Sequence, residues 1–342
     1  MARQSSIDLD SPDRPFDNII NFRDVGRTIN QFCGSSILKE GVLFRSARLD
    51  DASERDKRRL AEELHIKTVI DLRSQYDHPD YKIHCFAELI LMCFPHRTEH
   101  QMATRKRRAE NAASTEDTHD GPNNNDFAHS SVPLDAEEHL LQIPDSHRAL
   151  ISLTGKGFER ALLSKLDWMT YIKVLGLAVS GYRPDAVRLI GEQVMQPRGL
   201  TGLAQDTLSS SSAEIRTVFE LLAREDTYPV LVHCTQGKDR TGLIILLTLL
   251  LAGEPGSESA VPVPALTDDY VRSELELVPE FEERMKEIRA LGLGEDYTRC
   301  PPGFVDATMK YLQDKYGGVR GYLAGVGIND DMQGLIRQKI LA

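Results

Sequence analysis

Residues 228–243 read YPVLVHCTQGKDRTGL, and the way an apolar run breaks at a cysteine constrains the fold more than any other stretch. Val230, Leu231 and Val232 follow Pro229, so a short buried strand is expected. The chain then turns at Gly237. Beyond Thr241, LIILLTLLLAG puts leucine and isoleucine on every side until Gly253, the pattern of a buried helix with a glycine stop. Strand, tight loop and helix thus place Cys234 at the start of the loop and Arg240 at its end. Successive N–H groups in such a loop form an anion-binding nest, and the helix N-terminus adds partial positive charge. An oxyanion is the expected guest, held by Thr235, Gln236, Gly237 and Lys238 and gripped by the bidentate fork of Arg240. A thiol attacks only as its thiolate, so Cys234 as nucleophile needs more than a helix dipole's ~0.3–2 kcal/mol. Charge-assisted hydrogen bonds at ~1.5–3 kcal/mol each supply the rest, and the loop amides, Arg240 and the Thr241 hydroxyl are the donors.

Cys234 to Arg240 is a Cys-x5-Arg spacing, and HCTQGKDRTG resembles the loop of the atypical tyrosine phosphatase family, which includes bacterial lipid and tyrosine phosphatases and fungal relatives. NFRDVG (21–26), GVLFRSARL (41–49), TVIDLRS (68–74) and RGLTGL (198–203) are similar to that family's landmarks, in its usual order. The resemblance implies an α/β, cysteine-dependent protein tyrosine phosphatase-like fold, with a small central sheet flanked by helices and a helical lid-like insertion. The implied activity is phosphomonoester hydrolysis through a thiophosphate, on phosphotyrosine or phosphoserine/threonine proteins or on phosphoinositides. A phosphate-binding module of weak turnover is the alternative. No cofactor is expected: zinc-type spacing is lacking, and the motif has no GK[ST] end of a nucleotide-binding loop.

The leaving oxygen needs a proton, and three aspartates compete to supply it. Asp239 lies in the loop, where the resemblance places the acid; Asp71 ends the IDL strand and ranks second; Asp206 lies upstream, where many tyrosine phosphatases keep a mobile acid loop. Lys238 is a second cation beside Arg240, which favours a substrate with several phosphates such as a phosphoinositide headgroup. His233 is expected to hold loop carbonyls, since adjacent strand residues point to opposite faces. Arg23, Asp24, Arg45 and Arg73 are read either as lining the mouth of the site or as structural pairs.

At 342 residues and 41% hydrophobic content the chain can bury a large core. We expect a flexible segment over 1–15 and a single phosphatase-like domain over 16–342. That domain includes a disordered insert at about 97–148, where large apolar residues are scarce, and a helical insertion at about 155–197. Helices are expected at 52–64, at 212–223 with Ser211 and Glu214 as a capping box, and around 280–291, 304–316 and 330–340. The longest apolar run, 243–252, is far short of the ~20 residues that cross a bilayer. The N-terminus has no apolar signal core, and five scattered cysteines do not suggest a disulfide framework. A cytoplasmic location is expected, with RKRR at 105–108 as a weak nuclear signal or a solvated charge run. A net charge of −11 argues against nucleic acid as a partner. A phosphorylated protein or phosphoinositide is the expected partner, and peripheral membrane contact and oligomeric state are left open.

Overall fold

The computed structural model describes residues 16–73, 143, 146–253 and 260–342. The expected flexible N-terminus, most of the expected disordered insert and the basic run at 105–108 lie outside them. The chain builds one five-stranded sheet in the order β1-β2-β5-β3-β4. Its strands are β1 (Arg23–Asp24), β2 (Leu43–Ser46), β3 (Thr68–Asp71), β4 (His147–Leu150) and β5 (Val230–His233). Only β1 runs antiparallel to its neighbour. The expected disordered segment reached 148, but His147 and Arg148 belong to β4. Their backbone pairs with Thr68 and Val69 of β3, and the Arg148 guanidinium meets Asp71.

Side chains alternate across the sheet, as a two-residue period requires. Leu43, Ile70, Val230 and Val232 enter one core, whereas Phe44, Val69 and Leu231 enter another. The larger core is built against α1 (Val25–Cys33), which follows β1, and against helices from the C-terminal half of the chain. The smaller face is covered by Ile19, Leu49 and Leu60, the last on a π-helical turn (Arg59–Glu63) that extends α2 (Glu54–Arg58). Ser53 and Asp56 close a capping box at the start of α2.

Four helices follow β4: α3 (Lys156–Leu163), α4 (Trp168–Val179), α5 (Arg183–Ile190) and α6 (Gln196–Ser210). The first three share their own small core of Phe158, Leu162, Val174, Ala178, Ala186 and Ile190. An apolar side of α4 faces outward, so in this conformation the insertion is not seated through that side on the Cys234 loop. α7 (Ser212–Leu222) then leads to β5. The expected capping box at Ser211 does not form: its hydroxyl donates to Leu153 O, fastening the helix start to the strand layer. α8 (Asp239–Ala252) leaves the loop with every residue from Thr241 onward buried. This is where a helix apolar on all sides must lie. The remaining helices are α9 (Val263–Glu276), α10 (Phe281–Ala290), α11 (Phe304–Tyr316), α12 (Val319–Gly325) and α13 (Asp330–Ile340).

Candidate active site

β5 is the central strand, and the loop that follows it crosses the carboxyl end of the parallel strands, where α/β sheets place their ligands. Every carbonyl from Cys234 to Lys238 is directed at a group outside the loop's hollow. Cys234 O lies 3.4 Å from His233 Nδ1, Thr235 O accepts from Arg48 N at 3.0 Å, and Gln236 O accepts from Asn21 Nδ2 at 2.9 Å. Gly237 O accepts from Arg45 Nη2 at 2.7 Å, and Lys238 O accepts from Gly242 N at 2.8 Å. In a trans peptide the N–H opposes the C=O, so outward carbonyls turn the N–H groups inward. Gly237 shows the result directly, because its N–H donates to Cys234 Sγ at 3.2 Å.

Only glycine fits at 237. Its φ is +65°, and a Cβ there would lie 2.0 Å from Ser46 O. The close approach of the loop to β2 therefore depends on the missing side chain. Cys234 is 2% exposed at the floor of the bowl, and Arg240 Nη2 donates to Thr235 Oγ1 at 3.2 Å, spanning the loop from end to end. Thr241 Oγ1 is buried and has no hydrogen-bond partner among the described residues, so its expected donation to sulfur is not made in this geometry.

The structure sorts the remaining candidates. Arg45 does not line the mouth: it is fully buried beneath the loop, where Asp269 of α9 neutralises it. Arg23 shares the same carboxylate, with Nε 2.8 Å from Asp269 Oδ1. Burial and the neighbouring Arg45 lower Arg23 to about 10. Burial would raise Asp269, but the two guanidiniums outweigh it and hold the carboxyl below its ordinary range. Asp24 caps α1 by accepting from Arg27 N at 3.2 Å.

Lys238 is fully buried and points away from the bowl. Its Nζ donates to Tyr297 O at 3.1 Å and Arg299 O at 2.8 Å, and it sits 3.1 Å from Asp239 Oδ1. The second cation expected for a polyphosphate headgroup is therefore occupied by a neighbouring turn. The reason is geometric: at the entrance to α8 this side chain projects toward the carbonyls of Tyr297 and Arg299.

Asp71 is corrected as an acid. It is fully buried against Arg73 and Arg148, with His233 Nε2 3.6 Å away. Burial favours its neutral form, but those neighbours outweigh burial and hold it ionised well below the carboxylate range. A carboxylate in that state has no proton to give at neutral pH. Asp206 is corrected likewise: it is buried in a fork with Arg198 at 2.8 Å and Lys165 at 3.4 Å. Asp239 alone of the three remains partly exposed, with 38% of its side chain accessible and Tyr270 Oη 3.4 Å from Oδ1.

A model of the tyrosine phosphatase family matches residues 14–147 and 181–342, which is most of the chain. The chain belongs to the tyrosine phosphatase family. It is also 32% identical over 131 residues to a tyrosine-protein phosphatase of Nostoc commune, an alignment covering 36% of this chain and 42% of that protein. The chain therefore matches less than half the length of that relative. As a tyrosine phosphatase family member, it shows what each landmark does for the loop: NFRDVG supplies Asn21 and Arg23, GVLFRSARL supplies Arg45 and Arg48 N, and TVIDLRS supplies Asp71 beneath His233. RGLTGL supplies Arg198, which locks Asp206.

Asp269 was not legible in the sequence. TDDYVRSELE carries no motif, and only the packing of α9 singles out the second aspartate. Arg45 did carry a signal, since a charge amid the apolar LF of a buried strand needs a partner.

His233 carries a measurable consequence. Burial lowers it to about 4, against about 6.5 in an unfolded chain, so between these values the unfolded state binds a proton that the folded state refuses. Stability is complete above pH 6.5 and falls as pH drops toward 4, by on the order of 3 kcal/mol. Denaturant midpoints at pH 7 and 4.5 test this: His233→Gln should lose much less than the parent, and an equal loss in both proteins would point to another group. Asp71 does not confuse the window, because its depressed value makes its own loss occur below about pH 3.9.

Proposed function

We propose that this chain is a phosphomonoesterase that attacks phosphotyrosine with the thiolate of Cys234. The observation that carries the reading is the set of loop carbonyls held outward, with Gly237 N–H on the sulfur and Arg240 Nη2 on Thr235. Cys234 Sγ attacks phosphorus in line; the S–P bond forms as the bond to the tyrosyl oxygen breaks, and that oxygen takes a proton from Asp239. Loop amides and Arg240 hold the three equatorial oxygens, which stabilises the charge without requiring a metal. Water then attacks the thiophosphate, giving its proton to Asp239 and its oxygen to phosphorus. The S–P bond breaks, phosphate leaves, and the Gly237 N–H that already meets the sulfur donates to the restored thiolate.

Two features favour an aryl phosphate over a phosphoinositide. The sulfur lies at the floor of the bowl, which suits the reach of a flat phenyl ring, and Lys238 is engaged elsewhere. Phosphate release in the presence of chelator, from a phosphotyrosine peptide, a phosphoserine peptide and a phosphoinositide panel, tests the reading. Faster release from the phosphotyrosine peptide is expected. Preference for the lipids would overturn the substrate class, and no release from any would overturn the enzyme.

Asp239 has its own test. Asp239→Asn should lower kcat/KM for phenyl phosphate by about 10²–10³-fold and for p-nitrophenyl phosphate by far less, because nitrophenolate departs without a proton. Equal losses on both substrates would remove Asp239 from the acid role.

A further inference from the structure

α4 is apolar on two sides, and only one of them is buried. Inward, Val174 and Ala178 pack into the small core of the insertion. Outward, Trp168 is 72% exposed, Met169 65%, Ile172 56% and Val179 71%, and Tyr182 follows at 60%. At 100° per residue Trp168, Ile172 and Val179 fall on one stripe with Met169 at its border, so these are not scattered surface residues. Asp167 caps the helix by accepting from Met169 N at 3.0 Å and Thr170 N at 3.1 Å, which fixes Trp168 in the first turn. The family match omits residues 148–180, so this helix belongs to the part of the chain outside the shared pattern.

Charge indicates what such a face meets. Residues 156–190 carry six Lys and Arg against three Asp and Glu, within a chain whose net charge is −11, and of those cations Lys165 and Arg188 are paired with Asp206 and Glu192 beyond that span. Lys173, the only charged residue of α4, is exposed beside the stripe. Aromatic side chains stand at both ends of an otherwise aliphatic face, the arrangement that suits the headgroup boundary of a bilayer. The surface is also a convex helix flank, in contrast to the concave groove that receives a peptide.

We propose that the outer face of α4 docks onto an anionic lipid surface, lying in the interface plane with Trp168, Ile172 and Val179 inserted and Lys173 at the headgroups. This docking does not depend on which phosphomonoester the Cys234 site accepts.

Trp168 is the sole tryptophan of the chain, so it reports on its own insertion. The full chain is titrated with vesicles of phosphatidylcholine alone and of phosphatidylcholine with phosphatidylserine, reading tryptophan emission and flotation. The expected result is a blue shift and flotation with the anionic vesicles, at least about tenfold weaker on the neutral ones and weakened by salt. Ile172→Glu with Val179→Glu keeps the reporter, changes two exposed positions, and should weaken binding by about 100-fold or more while leaving the circular dichroism spectrum and p-nitrophenyl phosphate hydrolysis unchanged. An absent shift with both vesicles would overturn the proposal, as would an undiminished shift in the double variant. A concentration-dependent dimer that the double variant abolishes, with Trp168 insensitive to vesicles, would overturn it in favour of a second copy of the chain.

Discussion

A Cys234→Ser protein is expected to lose phosphate release by at least about 10⁴-fold while still binding inorganic phosphate. Losses of that order follow deletion of a catalytic nucleophile whose partners remain in place. A serine hydroxyl does not ionise near neutral pH, and among the described residues the neighbouring His233 is turned away from the sulfur, with Nδ1 on Cys234 O and Nε2 toward Asp71. The bowl itself should persist. Its carbonyls are held by Arg48, Asn21 and Arg45, none of which depends on the sulfur. Phosphate binding by calorimetry beside steady-state release separates the outcomes. Retained release in the variant removes Cys234 as nucleophile. An inactive parent that binds phosphate as tightly as the variant would make the loop a binding module.

Asp269→Asn is expected to be the most damaging change away from the loop. It leaves Arg45 and Arg23 buried without their shared counter-charge, and breaking a buried pair in this way costs about 3–5 kcal/mol. Arg45 is also the donor to Gly237 O, so the effect should pass into the loop. Release should fall by about 10²-fold or more even under conditions where the variant stays folded. Asp269 is thus a positioning residue, and its readout must differ from that of plain destabilisation. A loss in kcat with weakened phosphate binding, measured well below the unfolding midpoint, is expected; unchanged kinetics in the folded variant would make Asp269 purely structural. In a double-mutant cycle, Arg45→Met should partly offset Asp269→Asn, because it removes one of the stranded cations.

What could be read along the chain was local. The break from Val232 to Cys234, the turn at Gly237 and the apolar helix after Thr241 predicted β5, the loop and α8 at nearly their observed positions. Three of the C-terminal helices, α10, α11 and α13, were equally readable, because a 3.6-residue apolar period survives wherever one face is buried, whereas α9 and α12 were not expected. Charged residues were read less well. Asp71, Lys238 and Arg45 each carry a plausible catalytic chemistry, yet all three are buried and turned to protein partners. Composition does not reveal which way a side chain faces.

The sequence by itself determined that a tight loop turning at Gly237 stands between a buried strand and a buried helix, since that requires only residues adjacent in the chain. The tertiary structure alone decided what holds the loop carbonyls and which of the three carboxylates stays exposed. Arg45 meets Asp269 across 224 residues, and Asn21 reaches Gln236 across 215. Asp71 is held as an anion by Arg73 and by Arg148 from β4, and Asp206 is buried against Arg198 from the start of its own helix, whereas Asp239 stays partly exposed. The physical reason is that a charge's state depends on burial and on its nearest opposite charge, and both are properties of the packed chain.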